Sequence, residues 1–203
     1  MESQYRYRVW IIRGAMLFFA VQTSTEAVSY IFGDFRQFDA LFQEKYTRHL
    51  VLVRTHAAFS VLALCLGLLT LSPLTLRWRI HAWMGRIYGL AVTVGGVTAL
   101  PMALMAEGGR SSQLAFFLQA SLWLATLWTA IWAARQGRLA LHRRFMVRNY
   151  ALTYSAVLSR LLLHGLQQAG LEFSDIYPLL SWTWMAALAG AEWWLATWRP
   201  HAR

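Results

Sequence analysis

Six apolar stretches recur along the chain, at about 14–33, 50–73, 82–105, 113–134, 147–169 and 177–198. Each has roughly the 20 residues that a bilayer core of about 30 Å demands of a helix. The pattern predicts an all-α integral membrane protein, a bundle of six transmembrane helices in a single domain. Residues 34–49 read as a mixed-charge loop and EGGRSS as a short hairpin turn. Ser72-Pro73 is expected to close the second span.

Polar residues inside these stretches mark the faces that should turn inward, since hydrocarbon cannot solvate them. In the first span Gln22, Thr25, Glu26 and Ser29 cluster on one side. The second presents His56, Ser60, Ala63, Gly67 and Thr70. In the third, Gly85 and Gly89 make a GxxxG that lets a helix, or a flat cofactor, come close. In the fifth, His142, Asn149, Thr153, Arg160 and His164 fall within roughly 60° of one another on a helix. That stripe calls for a protein or cofactor partner.

Composition agrees with a membrane protein. The chain is 58% hydrophobic and 14% charged, with a mean hydropathy of +0.39, where soluble domains average about 25% charged. The net charge of +10 is mostly a topology signal. The N-terminus, the 74–86 and 135–148 loops and the C-terminus together hold thirteen Arg and one acid. The opposite loops hold five basic residues and six acids. By the positive-inside rule both termini are cytoplasmic, which suits a bacterial inner membrane and an uncleaved first span. This distribution argues against a nucleic-acid partner and leaves anionic lipid headgroups as the partner of the excess Arg. The lone Cys65, inside an apolar run, excludes an intramolecular disulfide.

On this topology the histidines form two pairs. His81 and His142 lie at the cytoplasmic side, and His56 and His164 near the outer side. Histidines on different helices of a bundle can ligate b-type haem. His142 and His164 are separated by about 33 Å of helix, so two haems would sit at opposite surfaces. Arg160 lies near the middle of its span and Glu26 at a matching depth, so these two are expected to meet, with Gln22 and Gln119 as helpers. Glu192 falls about 10 Å deeper. Arg86, Arg143, Arg144 and Arg148 form a cytoplasmic cluster suited to an anion or a lipid headgroup. The chain has no Gly-rich phosphate loop, CxxC pair or HExxH motif.

Two motifs carry a resemblance: His81-Ala-Trp-Met-Gly85-Arg86-Ile-Tyr88, and His142-Arg143-Arg144-Phe145-Met146-Val147-Arg148-Asn149-Tyr150-Ala151-Leu152 followed by Arg160. With His56, and over about residues 50–165, they resemble the bacterial multi-pass membrane protein family known as domain of unknown function 2306. Phe145 and Asn149 stand where the family pattern has Trp and Ser, and His164 lies outside it. The resemblance implies no activity. It directs attention to His56, His81, His142, Arg144, Arg148 and Arg160. The leading expectation is a haem-binding electron-transfer protein, exchanging electrons with a quinone or a redox partner. The alternatives are a transporter or lipid- or anion-binding protein centred on Arg160 and Glu26, and an accessory subunit without chemistry of its own.

Overall fold

A computed structural model describes residues 2–34, 40–70 and 78–197. Ser72, Pro73, Arg36, Arg77, Arg199 and His201 lie outside the described residues. Among those described there are eight helices and no strand: α1 (Glu2–Phe32), α2 (Ala40–Arg48), α3 (Leu50–Thr70), α4 (Trp78–Leu104), α5 (Gly109–Arg135), α6 (Leu139–Gln168), α7 (Phe173–Leu180) and α8 (Thr183–Thr197). Consecutive long helices pack as neighbours, and α6 is central, touching α1, α3, α5, α7 and α8.

Three helices are long and apolar enough to cross a membrane by length and composition: α3, α4 from Arg79, and α5. α1 and α6, with 31 and 30 residues, have the length as well. α6 is diluted by Arg143, Arg144, Arg148, Asn149 and Arg160. The outer surface is rich in large apolar side chains, such as Phe18, Leu90, Val97 and Trp193. A soluble monomer rarely tolerates such a surface, whereas lipid solvates it.

Several elements depart from expectation. α1 begins at Glu2, so the basic N-terminal segment is helical. The 34–49 loop contains α2. The 135–148 loop shrinks to three residues, because Gly137, at φ 71°, ends α5. There Arg138 N–H donates to Ala133 O at 2.9 Å and Gly137 N–H to Ala134 O at 3.0 Å, the left-handed glycine closure of a helix. Arg143, Arg144 and Arg148 therefore ride on the first turns of α6. The sixth span is interrupted at Ser181-Trp182. α8 alone has 15 residues, short of the roughly 20 a crossing needs.

Inward faces also differ. On α1 the buried residues are Ala20, Thr23 and Ala27, while Gln22, Thr25 and Ser29 are exposed. The hydroxyls of Thr25 and Ser29 donate to Gln22 O and Glu26 O of their own helix, which frees that face from needing a partner. The close approach of α4 occurs at Gly95 and Gly96, where a Cβ would meet Trp123 at 3.1 Å and Leu124 at 2.6 Å. Gly85 of the GxxxG meets nothing within 4 Å. The space beside Gly67 is filled by the rings of Tyr150 and Tyr88, not left open for a porphyrin.

Candidate functional site

The two motifs meet in the middle of the bundle. Tyr88, from the first, donates its hydroxyl to Asn149 Oδ1, from the second, at 2.6 Å. Asn149 Nδ2 donates to Trp123 O at 2.6 Å and Thr126 Oγ1 at 2.9 Å. Trp123 Nε1 donates to Thr153 Oγ1 at 2.8 Å, and Tyr150 Oη to Leu64 O at 3.1 Å. Tyr88 and Asn149 are fully buried. Two rungs of the expected polar stripe, Asn149 and Thr153, thus find protein partners. The Asn at 149 supplies both an acceptor and two donors to this network, more than a Ser could.

Beyond this network, toward α2 and α7, lies a cavity of about 770 Å³. Its walls come from the ends of α1, α4 and α6, the starts of α3 and α5, and from α2 and α7. Most of the lining is Ala, Val, Leu, Met, Phe and Trp. The charged and titratable groups include Glu26, Lys45, His56, Glu107, Arg160 and His164. A volume and lining of this kind suit a small amphipathic ligand.

Arg160 and Glu26 meet as expected, with Nε 3.5 Å from Oε2. Among the described residues Arg160 makes one other hydrogen bond, Nη1 to Ala156 O at 3.4 Å. A guanidinium has five N–H donors in a fork, so most of its capacity faces the cavity. Its side chain is 31% exposed and that of Glu26 35%. Glu26 also accepts from His164 Nε2 at 3.2 Å through its other oxygen. Neither expected helper touches the pair, although Gln119 lines the same cavity. Gln22 is exposed, and Gln119 Nε2 donates to Ser155 Oγ at 2.9 Å.

Part of the wall is α2, which the sequence pattern missed because its nine residues lie in a polar segment. Lys45 pairs with Glu107 and also donates to Met105 O at 3.3 Å, tying α2 to the end of α4. Tyr46 stacks edge-on against Tyr30 with ring centroids 5.9 Å apart. Burial pushes the Tyr46 phenol pKa above its usual value.

The histidine pairs are separated. His56 and His164 share the cavity, whereas His81 and His142 belong to the Arg-rich end and lie close enough to interact electrostatically. His56 donates Nδ1–H to Gly95 O at 2.9 Å, with Nε2 3.4 Å from Ser60 Oγ. His142 donates Nδ1–H to Ala130 O at 3.0 Å, and His81 Nδ1 is buried with no hydrogen-bond partner among the described residues. Among the described residues no group of three or more His, Cys, Asp or Glu is placed to hold a metal ion.

The Arg cluster also divides. Arg148 grips Glu192 of α8 through Nε and through Nη2, the latter at 2.8 Å, so it is engaged within the protein. Glu192, which the sequence left without a partner, is thereby assigned. Arg86 lies over the Trp83 ring at 5.0 Å, and Arg143 and Arg144 are exposed.

Long apolar helices, a lipid-compatible exterior and polar groups turned inward define an integral membrane protein. The chain belongs to the family described as "Predicted membrane protein (DUF2306)", whose model matches residues 53–195. The match runs on through α8 and its Glu192, beyond the extent of the sequence resemblance, and leaves Glu26 before it. No curated protein and no solved structure matches the chain.

Proposed function

We propose that this protein binds a small amphipathic molecule with an anionic head in the cavity between α1, α3 and α6, as a transporter or lipid-binding protein would. The observation that carries this reading is Arg160, a cation in the cavity wall whose one carboxylate contact is at 3.5 Å. An Arg at membrane depth costs about 2.5–3.5 kcal/mol and is retained where it meets a partner or water. A carboxylate or similar oxyanion would take its free fork in bidentate fashion, with the apolar body against the Leu, Val and Met lining. The chain crosses a bacterial inner membrane six times, with α7 and α8 together as the last crossing. The Arg-rich end is cytoplasmic and the cavity opens to the far side.

Decanesulfonate, a permanent anion, and decanol, its neutral analogue, test the reading on protein in nanodiscs of zwitterionic lipid. Decanesulfonate should bind saturably and decanol far more weakly. Arg160→Leu should remove the difference, and Arg160→Lys, which keeps the charge but loses the fork, should retain part of it. Equal binding of both compounds to the wild type would contradict the proposal.

A second reading, b-type haem with a quinone or redox partner, has its own support. His56 and His142 each hold Nδ1–H against a main-chain carbonyl. That contact fixes the tautomer and turns Nε2 toward a metal, although Nε2 of His56 also lies 3.4 Å from Ser60 Oγ. It gains nothing from His164, which turns to Glu26. A reduced-minus-oxidised absorption spectrum with sharp α and β bands, lost in His56→Ala or His142→Ala, would establish it. A preparation without those bands after expression with excess haem would remove it.

A further inference from the structure

The charged groups of the cavity balance before any ligand arrives. Lys45 is matched by Glu107 and Arg160 by Glu26. The phenols facing the same space, Tyr30 and Tyr46 with Tyr177 of α7, are neutral near pH 7, since a phenol ordinarily ionises near pH 10. His49, between α2 and α3, and His56 of α3 line the cavity too. His56 has its Nδ1–H committed to Gly95 O. An anion on the free side of the Arg160 fork therefore competes with Glu26 for its charge and, among the described residues lining the cavity, leaves one negative charge without a cation. His164 is already hydrogen-bonded to the other oxygen of that carboxylate, at 3.2 Å, through Nε2. Its Nδ1 is the basic position of the ring when Nε2 carries the hydrogen.

We infer, building on the cavity as an anion site, that ligand binding takes up a proton: the anion takes over the charge of Arg160, and Glu26 keeps its charge balanced through a His164 that becomes imidazolium. The balance is simple. Before binding, Arg160 and Glu26 cancel. Afterwards Arg160 cancels the ligand and protonated His164 cancels Glu26, the proton coming from water onto Nδ1. The side chain of His164 is 48% exposed and lines the cavity, the route by which the proton would arrive. The three groups belong to two helices, with Arg160 and His164 one turn apart on α6 and Glu26 facing both from α1. Glu26 already touches both, so its charge can pass from Arg160 to His164 while the helices stay in place. The coupling gives an anion-binding membrane protein a way to link its ligand to the proton gradient.

Calorimetry of decanesulfonate binding in buffers of different ionisation enthalpy reads proton uptake directly, since the probe's own charge does not change with pH. The wild type should take up a proton per anion, and its affinity should fall as pH rises, by up to about tenfold per unit. Glu26→Gln removes the competitor at Arg160. It should bind more tightly, without proton uptake and without pH dependence. His164→Gln keeps a hydrogen bond to Glu26 but cannot gain a charge, so it should bind more weakly, again without pH dependence. A merely structural role for both residues would lower affinity in both variants, so the opposite signs separate coupling from loss of fold. His49→Gln should leave proton uptake intact. Adding phosphatidylglycerol to the discs distinguishes sources of the anion. Competition assigns the site to a bilayer lipid and its absence to a soluble amphiphile, and the coupling is supported in either case if proton uptake persists. Wild-type binding without proton uptake overturns the coupling and leaves the anion site standing. Absence of binding overturns both, and proton uptake undiminished in both Glu26→Gln and His164→Gln overturns the coupling.

Discussion

In the middle of the bundle, polar atoms are turned on one another. Tyr88, Trp123, Asn149 and Thr153 form a chain of hydrogen bonds across α4, α5 and α6, and aromatic rings occupy the space that Gly67 and Gly95 leave. About two turns further along α6 the same helix presents Arg160 and His164 to an open cavity, with one carboxylate between them. Both regions belong to one polar stripe, and both are obliged to find partners because lipid offers none. The difference is stoichiometric. In the middle, donors and acceptors match within the protein, and the result is a fixed core. At the cavity the charges cancel, but Arg160 meets Glu26 through one long contact, and its fork faces a space large enough for a ligand.

The comparison predicts a separation between substitutions that unfold and substitutions that disarm. The largest effect on stability belongs to Gly67→Val, because even a Cβ at that position would lie 2.2 Å from the Tyr150 ring. Overpacking of this kind costs about 1–3 kcal/mol or more, and thermal or SDS unfolding of the purified protein should show it. Next comes Arg160→Leu. Losing charge-assisted hydrogen bonds to a ligand costs about 1.5–3 kcal/mol, roughly a 10- to 100-fold weaker decanesulfonate affinity. Its unfolding midpoint should move little. Asn149→Ala should do the reverse, lowering stability by up to about 1.7 kcal/mol, the upper range for interhelical hydrogen bonds in membranes, with decanesulfonate affinity nearly unchanged. The smallest effect is Lys45→Ala. Its ion pair with Glu107 is 44% and 22% exposed, and such pairs are worth about 0–1 kcal/mol. Faster ligand release by stopped flow, with stability unchanged, is the expected signature.

Much of this arrangement was legible in the sequence. The apolar runs locate the helices, and depth-matching along α1 and α6 pairs Arg160 with Glu26, because an ionised group in a span has few partners to choose from. What escaped depends on rotation or on short elements. Depth alone does not say that the buried side of α1 is Ala20, Thr23 and Ala27, since Thr25 and Ser29 can satisfy their hydroxyls within their own helix. The Arg148–Glu192 pair escaped because the basic start of α6 reads as a solvated loop until Gly137 is seen to close α5 in three residues. Tyr88 and Asn149 were visible within the two motifs, but their contact joins residues 61 positions apart, which no periodicity encodes. α2 and the break between α7 and α8 leave almost no hydrophobic signature.

The most direct test places a single cysteine on either side of the boundary between the two regions, in a Cys65→Ser background and in native membranes. Ser159 lines the cavity, whereas Ser155, one turn earlier on α6, is 1% exposed and accepts from Gln119. A water-soluble maleimide should label Ser159→Cys rapidly, decanesulfonate should protect it, and Ser155→Cys should stay unlabelled. Equal labelling at the two positions, or labelling of Ser159→Cys that decanesulfonate does not slow, would contradict a ligand cavity set above a closed core.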